Sequence, residues 1–284
     1  NGKNLYVAEV NEHIFVLDAG AKYPENEQLG VDIVVPNFEY LEENKHRVAG
    51  IFLSHGHADA IGALPYLLEK VKVPVFGSHL TIELVKLLVK NNNATKKFND
   101  FHVINEKTEI DFGDSVVSFF QTTHSIPESL GVVIKTDQGN IVYTGDFKFD
   151  QAADKFYKTD FSRLAEIGNE GVLALLSDSA NADSNEQGAS MHEAREEILN
   201  TIADWDGRII VAAVASNIVR IQQIFDAAEK TGRRIVLTGH DVENIVRTAI
   251  QLKKLHLVSE KLLVKPKDIA KYEDHELIIL ETGR

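Results

Sequence analysis

The sequence predicts a layered α/β protein, and three observations carry that expectation. Short apolar strands follow one another closely through the first 177 residues, helical patterns lie between some of them, and beyond Asn181 strands and helices alternate one for one. The strands of the first part are expected at 5–10, 14–18, 48–54, 73–76, 116–122, 130–136, 140–144 and 172–177, each ending in a polar or glycine-rich loop. Between them, 58–71 places Ile61, Leu64, Leu67 and Leu68 on one helical face, and 80–90 does the same with Leu84, Leu87 and Leu88. A polar loop over 181–188 ends at Ser190-Met191-His192-Glu193, which has the form of a capping box and predicts a helix to about Asp204. Strand 208–214, helix 218–231, strand 233–238 and helix 242–255 then predict a small parallel α/β domain, with a boundary near Asn181. A last strand over 277–280 precedes Thr282-Gly283-Arg284, the beginning of a glycine loop with nothing after it, so an incomplete chain is expected. No internal repeat or low-complexity tract stands out.

Composition narrows the chemistry. The 284 residues suit one large core or two unequal ones, and 44% apolar with 26% charged residues is ordinary for a globular protein. No apolar run approaches the ~18 residues of a membrane span, and residues 1–10 lack the charged start and cleavage site of a secretory signal, so a cytoplasmic location away from membranes is expected. With no cysteine, disulfides and thiolate ligands are excluded, and any metal site must use His, Asp and Glu, which suits Zn²⁺ or Mn²⁺. A formal charge of −13 argues against holding nucleic acid through a general basic field. It leaves room for a local positive lining, because two divalent ions would add four positive charges where a phosphate sits.

The strongest feature is Ile51-Phe52-Leu53-Ser54-His55-Gly56-His57-Ala58-Asp59-Ala60, an apolar strand running into a histidine-rich turn and then a helix. His55 and His57 can reach one ion from a tight turn, with Asp59 beside them on the opening helical turn. Two later strands deliver His124 and Asp146 to their ends. A lone strand-end His or Asp is usually a hydrogen-bonded turn residue, but five such groups on three strand ends suit a two-metal hydrolytic site. Asp18, ending Phe15-Val16-Leu17-Asp18, either orients a ligand or forms a turn, and the former is favoured. His13, His46, His79, His102, His192, His256 and His275 have no partner at ligand spacing and are assigned no role, while His240 after Gly239 is a weak candidate.

His55-Gly56-His57-Ala58-Asp59-Ala60 resembles the His-x-His-x-Asp-His signature of the metallo-β-lactamase superfamily, with Asp18, His124 and Asp146 matching its flanking motifs. Gly2-Lys3-Asn4, Leu29-Gly30-Val31-Asp32, Gly62-Ala63-Leu64-Pro65-Tyr66-Leu67-Leu68, Thr122-Thr123-His124-Ser125-Ile126-Pro127, Thr144-Gly145-Asp146-Phe147-Lys148-Phe149-Asp150 and Ser177-Asp178-Ser179 narrow the match to the ribonuclease J family of bacteria. The resemblance covers essentially the whole chain. It implies an αββα metallo-β-lactamase sandwich over 1–180 and an inserted, here truncated, β-CASP domain over 181–284. It implies a metal-dependent ribonuclease acting 5′-to-3′ as an exonuclease and sometimes as an endonuclease, in rRNA maturation and mRNA decay, on single-stranded RNA threaded between the domains. His55, His57 and His124 would hold one Zn²⁺ or Mn²⁺, with Asp146 bridging to a second; Asp59 would orient or deprotonate the attacking water, and Asp178 would support catalysis.

Two positions depart from the family pattern. Ala60 stands where the signature has its final His, and Val219 follows Ser216-Asn217-Ile218 where active members often have His. Both departures resemble the catalytically degenerate paralogue found beside an active one in many Gram-positive bacteria. Two readings follow: a ribonuclease of weak intrinsic activity, or a mainly non-catalytic subunit in a homodimer or a heteromer with an active paralogue, with RNA degradosome components among its partners. A small-molecule hydrolase such as a lactonase or thioesterase is disfavoured, because such enzymes lack the added α/β region.

Overall fold

The computed structural model describes residues 2–24, 28–150, 153, 157–184 and 190–281, and Thr282-Gly283-Arg284 lie outside them. The chain divides into two compact units: one holds most of residues 1–183, the other 184–284 together with the short loops 125–127 and 150–156.

The first unit contains two five-stranded sheets. In one, β1 (Tyr6–Val10) pairs antiparallel with β2 (His13–Leu17), after which β3 (Val48–Phe52), β4 (Val75–Gly77) and β5 (Phe101–Val103) follow in parallel. Parallel neighbours require crossovers. The β3-to-β4 crossover carries α2 (Ala58–Ile61) and α3 (Leu64–Lys70), and α4 (His79–Asn91) links β4 to β5. In the other sheet β6 (Glu109–Asp111), β7 (Val116–Gln121), β8 (Leu130–Thr136) and β9 (Gly139–Tyr143) form an antiparallel meander, and β10 (Val172–Leu176) adds in parallel beside β9. The inner faces meet in one core, where Phe15, Leu17, Phe52 and Phe76 of the first sheet pack with Val117, Phe119, Val132, Ile134 and Tyr143 of the second. Phe52 and Phe76 stack with centroids 4.9 Å apart at 8°. Each such fully buried side chain contributes roughly 1.5–3 kcal/mol. Outside the second sheet, α5 (Phe161–Glu170) covers Phe120, Val133 and Val142 with Ile167 and Leu164. Sheets in two layers with helices outside are the expected sandwich.

The expected helix over 58–71 is two helices. Gly62 and Ala63 separate them and Pro65, which lacks an N–H, sits in the first turn of α3, where that donor is not needed. Ile61, Leu64, Leu67 and Leu68 are all buried as expected. The buried stripe of α4 differs from the expectation: Leu80, Leu84, Val85 and Val89 are inside, whereas Leu88 is exposed.

The second unit is a parallel sheet in the order β11 (Ile209–Ala212), β14 (Leu277–Glu281), β12 (Arg234–Thr238), β13 (Leu263–Val264), with α6 (Met191–Ala203), α7 (Ile218–Thr231) and α8 (His240–Gln251). The capping box opens α6 as read: Ser190 Oγ accepts from Glu193 N at 3.1 Å, and Glu193 Oε2 accepts from Ser190 N at 2.8 Å. Asn217 caps α7, so Val219 lies in its first turn.

Candidate metal centre

His55, Gly56 and His57 form the turn between β3 and α2, so both imidazoles leave the same end of the first sheet. Asp59 follows in the first turn of α2. Its backbone is fixed by Asn4, whose N–H donates to Asp59 O at 3.0 Å, and by the close approach of Gly20, where a Cβ would lie 1.5 Å from that oxygen. His124 sits beyond β7 on a segment clamped by reciprocal bonds, Thr123 N to Thr159 Oγ1 and Thr159 N to Thr123 Oγ1, both 3.0 Å. Asp146 follows β9, and Lys148 N donates to Thr123 O at 2.9 Å, tying its loop to that of His124.

These elements bring His55, His57, Asp59, His124 and Asp146 together. The three imidazoles meet pairwise edge to face, with centroids 4.7–4.9 Å apart. Two overlapping donor sets result, His55–His57–His124 and His55–Asp59–Asp146, each with its donor atoms within 4.8 Å of one another. Asp178 lies beyond β10; its carboxylate accepts from Ala180 N at 2.8 Å, and it lines a cavity of about 350 Å³ together with Asp146. Ala60, fully buried, carries no donor atom; its backbone bonds to His57 and Ala19. The His240 side chain lies outside the described ones.

Asp18 touches no donor set directly. It is fully buried in a left-handed conformation, φ 60°, and accepts three hydrogen bonds: from Ser54 N at 2.7 Å, Ser54 Oγ at 2.7 Å and Tyr143 OH at 2.6 Å. Ser54 Oγ also stands 2.8 Å from His55 Nδ1. With the serine proton committed to Asp18, His55 must donate from Nδ1, which leaves the Nε2 lone pair facing the other ligands. Ser54 and Tyr143 were missed in the sequence; Ser54 had a signal in directly preceding a candidate ligand, and Tyr143 had none.

Electrostatics follow from burial. The imidazoles resist protonation: burial above all holds His55 well below its ordinary value. Burial and then the neighbouring His124 take His57 down to about 3, and burial with Lys148, opposed by Asp178, takes His124 to about 4. The carboxylates are shifted the other way. Burial and then repulsion by Asp59, Asp178 and Asp18 push Asp146 up to about 7. Burial raises Asp59. Asp18 rises to about 7 through burial, which its hydrogen bonds offset only in part. Tyr143 is raised by burial and by Asp18, so it stays a donor.

His55 Nε2 and His124 Nε2 are buried nitrogens with no hydrogen-bond partner. A buried unsatisfied polar atom costs roughly 1–3 kcal/mol. Neutral imidazoles with orphaned lone pairs, set against crowded carboxylates, are a donor set a divalent cation would satisfy on both counts. The residues therefore fit a metal.

Comparison with known proteins agrees with that chemistry. A model described as the metallo-β-lactamase superfamily matches residues 1–189, and one described as the β-CASP domain of ribonuclease J matches residues 206–284. "Ribonuclease J 2" of Streptococcus pyogenes serotype M3 is 70% identical over 283 residues, covering 100% of this chain and 51% of that protein. "Ribonuclease J 2" of Staphylococcus epidermidis is 44% identical over 281 residues, covering 99% and 50%. The chain thus spans about half the length of these relatives. The crystal structure of a protein of unknown function from Enterococcus faecalis V583 shares the fold, with a TM-score of 0.67 at 15% identity, over 100% of this chain and 74% of that one.

Proposed function

Since the chain belongs to the metallo-β-lactamase superfamily and to its ribonuclease J family, we propose that it is the first half of a metal-dependent ribonuclease whose own activity is weak. The observation that carries this reading is the meeting of His55, His57, His124, Asp59 and Asp146 around orphaned imidazole nitrogens. Residues 1–180 form the metallo-β-lactamase domain and 181–284 the first part of a β-CASP domain. A bound Zn²⁺ or Mn²⁺ would supply Lewis acidity, lowering the pKa of a water and neutralising charge on the phosphodiester. His55, His57 and His124 would hold that ion through neutral imidazoles, and the Asp18–Ser54 pair fixes the His55 tautomer. Asp59, raised above an ordinary carboxylate, orients the attacking water and takes its proton. Asp146 would ligate beside it, and Asp178 brings a carboxylate to the lining of the adjoining cavity. The substrate is single-stranded RNA, degraded from its 5′ end and at times cut internally, in the cytoplasm, during rRNA maturation and mRNA decay.

One observation favours a second reading. Ala60, where the family signature carries His, offers no donor and is fully buried. On that reading the protein acts mainly as a partner, in a homodimer or beside an active paralogue and other degradosome components. The test is hydrolysis of a 5′-monophosphorylated single-stranded RNA by the full-length protein with Mn²⁺, run beside Ala60→His. Slow cleavage that rises in the variant supports the weak ribonuclease. Cleavage by neither leaves the partner reading standing.

A further inference from the structure

Nε2 of His124 is buried and has no hydrogen-bond partner, so no bond at that nitrogen fixes the direction of its lone pair. The backbone just before the ring is, by contrast, gripped on both sides. Thr123 is fully buried, and on one flank its carbonyl accepts from Lys148 N at 2.9 Å. On the other flank stands Thr159, 4% exposed, two residues ahead of α5. Thr123 N donates to Thr159 Oγ1 and Thr159 N to Thr123 Oγ1, both at 3.0 Å, and the two hydroxyl oxygens lie 2.9 Å apart. A strand pair would use carbonyl oxygens for these bonds. Here side chains take their place, so the join depends on which residues stand there. The next bond along the same pair, from Asp160 N to Gln121 O at 3.2 Å, is of the ordinary backbone kind. Deleting the Thr159 hydroxyl would leave the Thr123 amide, one peptide before the ligand, buried with nothing to bond. The segment then shifts towards another acceptor and carries the His124 ring with it.

We propose that Thr159 is a positioning residue for the metal: through the Thr123 amide it sets the direction in which His124 presents Nε2 beside His55 and His57. It acts from the entry of α5, apart from the strand ends that carry the donors. The inference rests on the metal-dependent reading above and adds to it a residue that holds one ligand in place.

The test is a Co²⁺ titration of metal-stripped full-length protein, because the visible absorption of Co²⁺ reports the arrangement of its ligands as well as affinity. Thr159→Val and Thr159→Ala both remove the hydroxyl, the first keeping the shape of the side chain, and Thr159→Ser keeps the hydroxyl. Ile167→Ala loosens the same α5 from its buried face against Phe120, Val133 and Val142 and leaves both threonines intact. Thermal unfolding run in parallel reports the stability of each variant. Thr159→Val and Thr159→Ala should weaken Co²⁺ binding by at least about 10-fold, as loss of a ligand's supporting partner does, and should alter the absorption band at saturation. Thr159→Ser should restore the native affinity and band, and Ile167→Ala should lower the Tm while keeping both. Native Co²⁺ binding without the hydroxyl would overturn the proposal and leave the metal-dependent reading standing. So would an equal loss in Ile167→Ala, since Thr159 would then act through stability alone. If the unaltered protein takes up no Co²⁺, the metal-dependent reading falls and this inference falls with it.

Discussion

The hydroxyl of Ser54 stands 2.8 Å from Nδ1 of His55 and, on its other side, 2.7 Å from Asp18. One small side chain therefore passes the negative charge of a fully buried carboxylate to a candidate ligand's far ring edge. Replacing Ser54 with Ala removes that relay while leaving the ligands in place. Partners of this kind typically cost 10–100-fold in metal affinity. Ser54→Ala should weaken zinc binding by about that factor, measured by competition with a chromophoric chelator, with Asp18→Asn following in the same direction. An unchanged affinity would show that the Nε2 lone pair is held by packing alone.

Gly145 precedes Asp146 in a left-handed conformation, φ 59°, and a Cβ there would come 2.7 Å from Ser54 Cβ. Backbone strain and the clash act together in Gly145→Ala. Strain of this sort costs about 1–3 kcal/mol. The variant should unfold at lower urea concentration by that amount and also bind zinc less tightly, since Ser54 must move. Loss of stability with full metal affinity would separate the two effects.

Ala60→His tests the departure from the family signature directly. A lost ligand should cost at least the ~10–100-fold of a lost supporting partner, so RNA cleavage per full-length protein should rise by at least about 10-fold in the variant. Thermal unfolding run in parallel reports whether the buried site admits the larger side chain.

Proton linkage gives a pH prediction with opposing signs. Asp18 and Asp146 have folded values raised from 3.8 to about 7, so without metal they stabilise most at low pH and lose that contribution as pH climbs through about 7. His57 and His124 are depressed from 6.5 to about 3 and about 4, so their contribution is present above 6.5 and lost as pH falls through those values. A cation needs both sets unprotonated. The rise in Tm on adding zinc should therefore be larger at pH 8 than at pH 6, and a chelator should abolish it at both. A zinc-induced shift that is the same at both values would contradict these assignments.

The ligand cluster was legible because chemistry and chain order coincide there: His55, His57 and Asp59 occupy alternate positions at a single strand end. Its support was not. Tyr143 reaches Asp18 across 125 residues of chain, and Ser54 across 36, through pairings between strands that no local pattern announces. Long apolar elements, such as α7 with its buried stripe and β8 with both sides buried, match the sequence reading to the residue. The misses have two causes. The short β5 and β6 run along the outer edges of their sheets, and α1 (Glu39–Glu43) and α5 bury only Leu41 and Ile167. β5, β6 and α1 are too short to show a period, whereas α5 carries an apolar stripe in Phe161, Leu164 and Ile167 that the sequence offered and the reading passed over.

Tyr143 ends β9 in one sheet of the sandwich and Asp18 directly follows β2 of the other, so their hydrogen bond is a rivet between layers as well as a prop for His55. Evolution therefore meets two separate bills of selection at one place. A lineage that lost its metal would still need Asp18 and Tyr143 to keep its layers joined, while His57, His124 and Asp146 would be released from that demand. Survival of the rivet testifies to folding; survival of the donor residues, which take no part in it, testifies to metal.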